Sequence, residues 1–597
     1  MFVITAAIGL YLWFILSYGQ FKIVDLSVDR QKALLTAQSY LISMGVNPKG
    51  FLKAVIFSSD YWSDRYLQKT LGSKAAEDFT AKHGFEMFHW NVRFFKKLDK
   101  EEYKINISPK SGEVIGFEHL IEDTAYRRTI SREDARKQAE DFLKKSFGID
   151  IKEYNFFEEQ VKRYDRRTDY AFSWERKGVY VPWGNNEGGA KLLIGATLAG
   201  DSIKSFYKMR LDIPEKFRRY IEKQNGFGQY LSTISFLATM FLILWAIFIL
   251  VKKRADVISR VCKRWYVYLF VFFLSINIIE VFNNLQFLFF SYNTSVQLSS
   301  FLGINLIKIM ISLLIMSVSF MLPGIAGESL RFEAFPLSMR SSFSHYLRSS
   351  FFTRGVTFSI LLGYLLFAIF LGLQSVLFYF GQKYLGVWKE WINLAQLSSS
   401  YLPFCGAFVM GFSASLNEEI IFRLFGISCI KKHTKNTALA IVLTSLIWGL
   451  GHSAYPVFPV WFRAIEVSIM GFLYGAMFVK YGLIPLLVAH YLFDVFWGTA
   501  AYILGRSTAY LTISSCIILI LPFAFGMLSY IMNQSEEERE LKVALDPIQS
   551  YNLGILKIFV EAKKSQGLSI DALKSELIKY NWDPVLIELS IKDIFKT

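Results

Sequence analysis

Residues 229–251 read QYLSTISFLATMFLILWAIFILV, a stretch without a charged side chain. A helix of roughly 20 apolar residues is long enough to cross the hydrocarbon layer of a bilayer. Further apolar segments follow along the chain, at 265–291, 301–323, 355–380, 400–425, 437–454, 464–480, 483–501 and 509–532. Together with an apolar run at Phe2–Tyr18, they predict a mainly α protein whose centre is a polytopic bundle of about 10 transmembrane helices.

The composition supports a membrane protein and argues against a nucleic-acid-binding one. Hydrophobic residues make up 53% of the chain and charged residues 19%, a lower charged fraction than soluble domains carry. The net charge is +16, but many Lys and Arg lie at the ends of apolar runs, where such residues contact anionic lipid. We therefore expect membrane lipid, and no nucleic acid, among the partners. The sequence carries no signal for an oligomeric state.

The placement of charge also predicts how the chain is oriented. The segment Lys252–Arg264 and the cluster Lys431–Lys435 are basic, which is typical of cytoplasmic loops. The connection Ser291–Ser300 has no charge and is expected outside. In this scheme the polar segment 19–228 is extracytoplasmic and the polar segment 533–597 is a small helical cytoplasmic tail. We thus expect a multi-pass protein of the cell membrane.

The N-terminal part is predicted to hold an anchor followed by an α+β domain. Residues 1–18 lack the basic start of a signal peptide, so we interpret them as a retained transmembrane anchor. The following segment contains two similar units, in which apolar helical spacing precedes alternating strands and glycine turns: Ala37, Leu41 and Gly45 before Tyr103–Ile107, and Ala139, Leu143 and Gly148 before Leu192–Leu198. The layout resembles a pair of PepSY-type modules; a single α+β domain is the alternative.

Ionisable groups inside membrane spans are costly and mark functional sites. The first set is Asn417-Glu418-Glu419-Ile420-Ile421-Phe422-Arg423, within an apolar run. On a helix, Glu419 and Arg423 are four residues apart and share a face, so the arginine can neutralise that carboxylate. Glu418 points about 100° away and stays a separate carboxylate. Taken alone, the Glu419–Arg423 pair is more typical of a structural ion pair than of a catalytic one.

Two histidine motifs follow on later spans. Trp448-Gly449-Leu450-Gly451-His452 ends one apolar segment, and His490-Tyr491-Leu492-Phe493-Asp494 lies two spans later. His490 and Asp494 share a helix face, so Asp494 is expected to accept a proton from His490 and fix its tautomer. Two other ionisable residues, Arg463 and Glu466, stand near the entrance of a span and are interpreted as interfacial.

The ordered set of E-E-x-x-x-R, aromatic-x-x-x-H and H-x-x-x-D resembles the CPBP family of intramembrane endopeptidases. This family includes CAAX prenyl-protein proteases and bacteriocin-processing (Abi) proteins. The resemblance extends from near Leu402 to near Phe525, and it implies that 400–532 is a protease bundle, preceded by helices of unknown role at 229–399. It further implies hydrolysis of a membrane protein or lipopeptide substrate, without a cofactor.

The resemblance also implies a role for each residue. Glu418 would be the base that activates water, and Glu419 its neighbour, held by Arg423. His452 would help hold the water, and His490 would stabilise the oxyanion with Asp494 beside it. The chain departs from the family at Trp448, where Phe is usual, and at Asp494, where several members carry Asn. An ionised Asp cannot donate to an oxyanion, so Asp494 is assigned instead to orienting His490, to a protonated form, or to a metal site.

Other readings of the same residues remain open at this point. Glu418, His452 and His490 could ligate one divalent metal, zinc being the usual choice, with a water in the open position. Buried Glu, His and Asp groups could instead form the ion path of a transporter or channel. A third reading is a non-catalytic membrane sensor in which the outer domain binds a ligand.

Overall fold

The computed structural model describes residues 1–17, 25–184, 188–254, 261, 263–335, 352–390, 394–532, 545 and 547–595. The predicted basic loop Lys252–Arg264 and the start of the predicted tail lie partly outside these residues, as does the junction between anchor and outer domain. The described chain divides into an N-terminal sheet domain, a helical bundle and a C-terminal group of helices, in the order that the sequence predicts.

The N-terminal region consists of one helix that packs on the membrane bundle, followed by helices packed on one antiparallel sheet. Its elements are α1 (Phe2–Ser17), α2 (Arg30–Ser43), β1 (Leu52–Ser59), α3 (Tyr61–Leu71), α4 (Ser73–His83), β2 (Phe88–Phe95), β3 (Glu102–Ile107), β4 (Val114–Leu120), α5 (Arg132–Phe147), β5 (Tyr154–Tyr164), β6 (Arg167–Pro182), β7 (Gly189–Ala199) and β8 (Ser202–Asp212). The eight strands follow the order β1-β2-β3-β4-β8-β7-β6-β5. Each half of the sheet is therefore a four-stranded meander, and the two halves join where the last strand of each pairs with the other.

The two halves repeat the same helix pattern, as the sequence predicts. Helix α2 begins at an Asp cap and buries Ala33, Ala37 and Leu41, and helix α5 begins at a Ser cap and buries residues at the same spacing, Ala135, Ala139 and Leu143. Small residues at this spacing let each helix lie close to the sheet. The repeat is thus visible in the structure, while its relation to PepSY modules stays a prediction.

The membrane bundle follows. Its elements are α6 (Glu215–Lys252), α7 (Lys263–Asn283), α8 (Leu285–Phe290), α9 (Leu298–Ala334), α10 (Arg354–Leu385), β9 (Trp388–Lys389), α11 (Leu394–Ser399), α12 (Pro403–Glu418), a π-helix (Glu419–Ile427), α13 (Ser428–Thr434), α14 (Thr437–Gly451), β10 (Val457–Phe458), α15 (Val460–Tyr481), α16 (Ile484–Leu504) and α17 (Ala509–Met532). Among the described residues, 7 helices are long and apolar enough to span a membrane: α6, α7, α9, α10, α15, α16 and α17.

These 7 helices do not confirm the predicted figure of about 10 spans. Helices α1 and α14 are apolar but shorter than the others. The predicted span 400–425 falls within one continuous helical stretch, in which α12 passes at Glu419 into the π-helix and then into α13. No α-helix of this stretch is long enough by itself to be among the 7. The remaining described elements are α18 (Pro547–Ser565), α19 (Ile570–Lys579) and α20 (Pro584–Phe595), which pack on each other through their own small apolar core.

The two ends of the bundle carry different contacts. At one end, Lys253 and Lys432 both form ion pairs with Glu333, so the two basic regions of the sequence lie together. At the other end the sheet domain is joined to the bundle: the backbone nitrogen of Val55 donates to Gln286 at 2.8 Å, and that of Phe57 donates to Ser399 Oγ at 2.7 Å. The sheet domain therefore packs on the end opposite the basic loops.

A short ribbon links the sheet domain to the chain that leaves His452. Strands β9 and β10 pair antiparallel, and the rings of Trp388 and Phe458 stack with centroids 4.4 Å apart. Both rings are buried in the core of the sheet domain, and Arg65 of that domain forms an ion pair with Glu390. The turn that follows His452 is thus fixed between the two parts of the molecule.

Candidate active site

The first motif lies where an α-helix changes into a π-helix. Glu418 is the last residue of α12, and Glu419 to Ile427 form the π-helix. The sequence predicts an ordinary α-helix here, and this expectation is wrong, because the E-E-x-x-x-R spacing by itself does not distinguish the two helices. The π-helix packs against α9 at Gly327, where an added Cβ would lie 2.8 Å from Phe425 Cα. Wide turns of this kind occur often at functional sites.

Glu419 and Arg423 form the expected ion pair. Arg423 Nη1 lies 3.3 Å from Glu419 Oε1, and both residues are almost fully buried. The guanidinium also lies between two aromatic rings, with its carbon 4.0 Å from the ring centroid of Trp448 and 5.2 Å from that of Tyr474. Cation–π contacts of this kind add to the stability of a desolvated arginine. The pair therefore anchors the π-helix to α14 and α15.

His490 is oriented by Glu419. Its Nδ1 lies 2.8 Å from Glu419 Oε1, and its Nε2 lies 3.5 Å from Asp494 Oδ2. The sequence assigns the fixing of the tautomer to Asp494, which is the i+4 neighbour on the same helix. The predicted partner is wrong. The hydrogen-bond acceptor is Glu419 on another helix, and Asp494 is too far from His490 for a well-formed hydrogen bond. Because a carboxylate only accepts, Nδ1 carries the proton and Nε2 points to the site.

Glu418 and Asp494 are the accessible carboxylates of the group. Glu418 Oε2 lies 3.8 Å from His490 Nε2, and the side chains of Glu418 and Asp494 are 27% and 26% exposed, whereas Glu419 is fully buried. The indole nitrogen of Trp448 donates a hydrogen bond to Glu418. Neighbouring glutamates thus have different surroundings: one faces the partly exposed side of the site, and the other lies beneath it with Arg423.

His452 lies at the end of α14 and borders the same site. Its Nδ1 is 2.9 Å from the backbone oxygen of Trp448, so Nδ1 carries the proton and Nε2 is left to accept a hydrogen bond. Its ring centroid lies 5.3 Å from that of Trp448, which reaches Glu418, and 5.2 Å from that of Tyr455. The structure therefore brings all six predicted site residues to one region, from the π-helix and its flanks, α14 and α16.

A bound metal ion such as zinc needs several His, Cys, Asp or Glu ligands that converge on one point. In the described part of the chain, no group of three or more His, Cys, Asp or Glu side chains is arranged to hold a metal. Of the candidate ligands, His490 and His452 each keep Nε2 without a short hydrogen bond, because Nδ1 is bound to Glu419 in the first and to a backbone oxygen in the second. Hydrogen bonds of this kind also orient histidines that bind metal through the other nitrogen. The metal-dependent alternative with Glu418, His452 and His490 as ligands therefore stays a prediction, beside the metal-free one.

Three residues of the site region were missed or misread from sequence. By sequence, Trp448 is only an aromatic residue where the resembled family usually has Phe, yet its N–H donates a hydrogen bond to Glu418. Arg463 and Glu466 were interpreted as interfacial, but Glu466 is 1% exposed and its two oxygens accept from Arg463 and from Gln374 Nε2, the latter at 3.0 Å. The available signal was that charged residues inside an apolar run need partners.

A partly exposed glutamate beside two histidines supplies the kinds of group, a base and hydrogen-bond donors, that peptide hydrolysis needs. The family model of the Rce1-like type II CAAX prenyl endopeptidases matches residues 400–496, which contain all six site residues. The class predicted from the three motifs is thereby confirmed for this segment.

One curated relative is similar over part of the chain. The sporulation-killing factor biosynthesis protein SkfC of Bacillus subtilis (strain 168) is 32% identical over 133 residues, which cover 21% of this chain and 26% of SkfC. The chain thus spans about a quarter of the length of this relative. No solved structure matches the chain significantly.

Proposed function

We propose that this chain is an intramembrane endopeptidase that cleaves a membrane-associated protein or peptide with a water molecule activated by Glu418. The observation that carries the proposal is the contrast between the two glutamates. Glu418 is 27% exposed and faces His490, whereas Glu419 is buried and bound to Arg423 and His490. The first is free to take a proton from water, and the second keeps the histidine in place.

The reaction would use the other groups as follows. His452 Nε2 accepts a hydrogen bond from the attacking water, because its Nδ1 is committed to Trp448. Glu418 takes the proton of that water as the oxygen attacks the peptide carbonyl. The nitrogen His490 Nε2, held by Glu419, stabilises the negative charge on the carbonyl oxygen when it carries a proton. The proton taken by Glu418 then passes to the leaving amine as the C–N bond breaks.

The contacts at the bundle ends support an orientation. Lys253 and Lys432 meet at Glu333, on the end away from the sheet domain, and basic loops are typical of the cytoplasmic face. We therefore place the sheet domain on the extracytoplasmic side and the C-terminal helices inside. Protease treatment of right-side-out vesicles should digest the sheet domain and spare the C-terminal helices; the opposite pattern would reverse the assignment.

The activity is tested with the purified full-length chain in nanodiscs. The wild type and Glu418→Gln are incubated with a mixture of synthetic peptides of defined sequence, and mass spectrometry identifies new peptide ends. We expect cuts that depend on Glu418 in a variant that unfolds at the wild-type temperature. A wild type that cuts nothing but dissipates an ion gradient across liposomes would favour the transport alternative. Equal cutting by the wild type and the variant would remove Glu418 from the mechanism.

A further inference from the structure

Arg463 lies in the first turn of α15, just after the ribbon strand β10. Its Nη1 donates to Glu466, a residue that is 1% exposed. The second oxygen of Glu466 accepts from Gln374 Nε2 at 3.0 Å, so the carboxylate is held from two sides. One nitrogen of Arg463 is therefore fixed in position by a rigid, buried partner.

The opposite edge of the Arg463 guanidinium makes no hydrogen bond within the described part of the chain. Its Nε is buried and has no hydrogen-bond partner in the described part of the chain, while the side chain as a whole is 16% exposed. In a guanidinium, the Nε–H and one Nη2–H point in the same direction and form the fork that binds a carboxylate with two hydrogen bonds. Because Glu466 takes Nη1, this fork is left without a ligand. A buried donor without a partner is unfavourable, so a ligand that supplies an acceptor gains from it.

The free fork is close to the candidate catalytic residues. The guanidinium carbon of Arg463 lies 5.7 Å from the ring centroid of Tyr455, and that ring stacks on His452 at 5.2 Å. These two distances limit the separation between Arg463 and the His452 ring to roughly 11 Å, which about three extended residues span. A group on a bound peptide could thus reach Arg463 from the bond that is cut.

The charge around Arg463 also favours an anion. Lys389 of the ribbon lies nearby, and its ammonium is held over the ring of Trp497 at 4.9 Å. Burial, followed by repulsion from Arg463, lowers the pKa of Lys389 to about 8. Among the described residues, Glu466 is the carboxylate that forms an ion pair with Arg463, and the carboxyl group of Asp494 lies farther off but within electrostatic range of it.

We propose that Arg463 is a specificity-determining residue, whose free fork binds a carboxylate of the substrate within about three residues of the cleaved bond. The inference rests on the proposed function, because it needs a peptide in the site. The carboxylate can be the side chain of an Asp or Glu or the C-terminus of the peptide, since both present the same two oxygens. A phosphate also matches the fork, so a lipid headgroup is the rival ligand that the test has to separate from a substrate carboxylate.

The test removes carboxylates from the peptide and Arg463 from the protein, separately and together, and measures the rate of cleavage. A peptide cut by the full-length wild type in neutral-lipid nanodiscs is remade with each Asp or Glu near the cut changed to Asn or Gln, and separately with a C-terminal amide. For the wild type, removing one of these carboxylates should lower kcat/KM by roughly 10- to 100-fold, chiefly by raising KM. For Arg463→Gln, the same change should have no further effect. The modified peptide whose kcat/KM falls for the wild type identifies the carboxylate that is bound.

Control variants separate specificity from folding. Arg463→Gln leaves Glu466 buried without its cation and can destabilise the chain. The double variant Arg463→Gln/Glu466→Gln removes both charges and keeps the volumes, and it should fold and lack the carboxylate preference. Glu466→Gln alone retains Arg463 and should keep the preference. Thermal unfolding of each variant checks the fold.

Each remaining outcome decides against the inference. A wild type that cuts peptides regardless of their carboxylates, or a double variant that keeps the preference, would overturn the role of Arg463 and leave the protease intact. An effect of Arg463 seen only with anionic lipid in the nanodiscs would assign the fork to a lipid headgroup. If neither the wild type nor any variant cuts a peptide of the mixture, this inference and the proposed function fail together.

Discussion

The adjacent glutamates offer the sharpest test of the site, because they are chemically identical and differ only in their surroundings. We predict that Glu418→Gln abolishes cleavage with little effect on stability, whereas Glu419→Gln lowers both. Glu418 is 27% exposed and has His490 at 3.8 Å, while Glu419 is fully buried against Arg423 and His490. Gln keeps the size of Glu in both variants, so volume is not the cause of any difference.

The expected magnitudes follow from these contacts. Glu418→Gln breaks no close ion pair with an arginine or lysine, so its effect on the free energy of unfolding should stay within about 1 kcal/mol. Loss of the general base should reduce kcat by about 10²- to 10⁴-fold. Glu419→Gln leaves Arg423, 1% exposed, without its counter-ion, and breaking a buried pair in this way costs about 3–5 kcal/mol.

The assay combines thermal unfolding in detergent with cleavage of a peptide that the wild type cuts. Glu418→Gln should unfold with the wild type and be inactive, and Glu419→Gln should unfold at a clearly lower temperature. The double variant Glu419→Gln/Arg423→Met removes both charges of the pair. It should recover part of the lost stability but not the activity, since His490 would still lack its carboxylate acceptor. If the Glu419→Gln variant is as stable as the Glu418→Gln variant, the assignment of Glu419 and Arg423 as a buried ion pair is refuted.

Three further outcomes test separate features of the site. Trp448→Phe removes the N–H that binds Glu418 and keeps a ring for Arg423; kcat/KM measured on the same peptide should fall about tenfold with stability almost unchanged, and an unaltered rate would contradict the role of this donor. Gly449→Ala places a Cβ 2.1 Å from Ser468 Oγ and 2.5 Å from a backbone oxygen of α15, so the free energy of unfolding should fall by about 1–3 kcal/mol, whereas Gly303→Ala, with nothing within 4 Å, serves as the matched control. Dialysis against a chelator should leave the cleavage rate unchanged; inactivation that zinc reverses would establish the metal-dependent alternative.

Much of the architecture was predictable because it depends on local patterns. The apolar runs and the basic loops between them follow from the cost of placing charge in hydrocarbon. The repeated helix pattern of the N-terminal domain was visible in the spacing of small residues, as at Ala37 and Ala139. The joining of both halves into one sheet was not, since the β4–β8 pairing connects distant parts of the chain and no local pattern specifies it.

The number of spans was harder to predict. Apolar composition marks a segment, but it does not tell whether the helix is continuous or long enough to cross the bilayer. In the segment 400–425 the helix is continuous, but its hydrogen-bond pattern changes from α to π at Glu419, which the apolar composition does not indicate. The misreading of Glu466 has a related cause: position near the end of a run says nothing about which other helix covers the side chain.

The sequence by itself determined the class of the protein and the candidate residues of the site, because charged residues and histidines in apolar segments are rare enough to stand out. The tertiary structure alone decided how those groups are used. It makes Glu419 of the π-helix, 71 residues before His490, the acceptor that orients this histidine, in place of its helical neighbour Asp494. Hydrogen bonds depend on distance and direction in space, and contacts between separate helices are set by packing rather than by spacing along the chain.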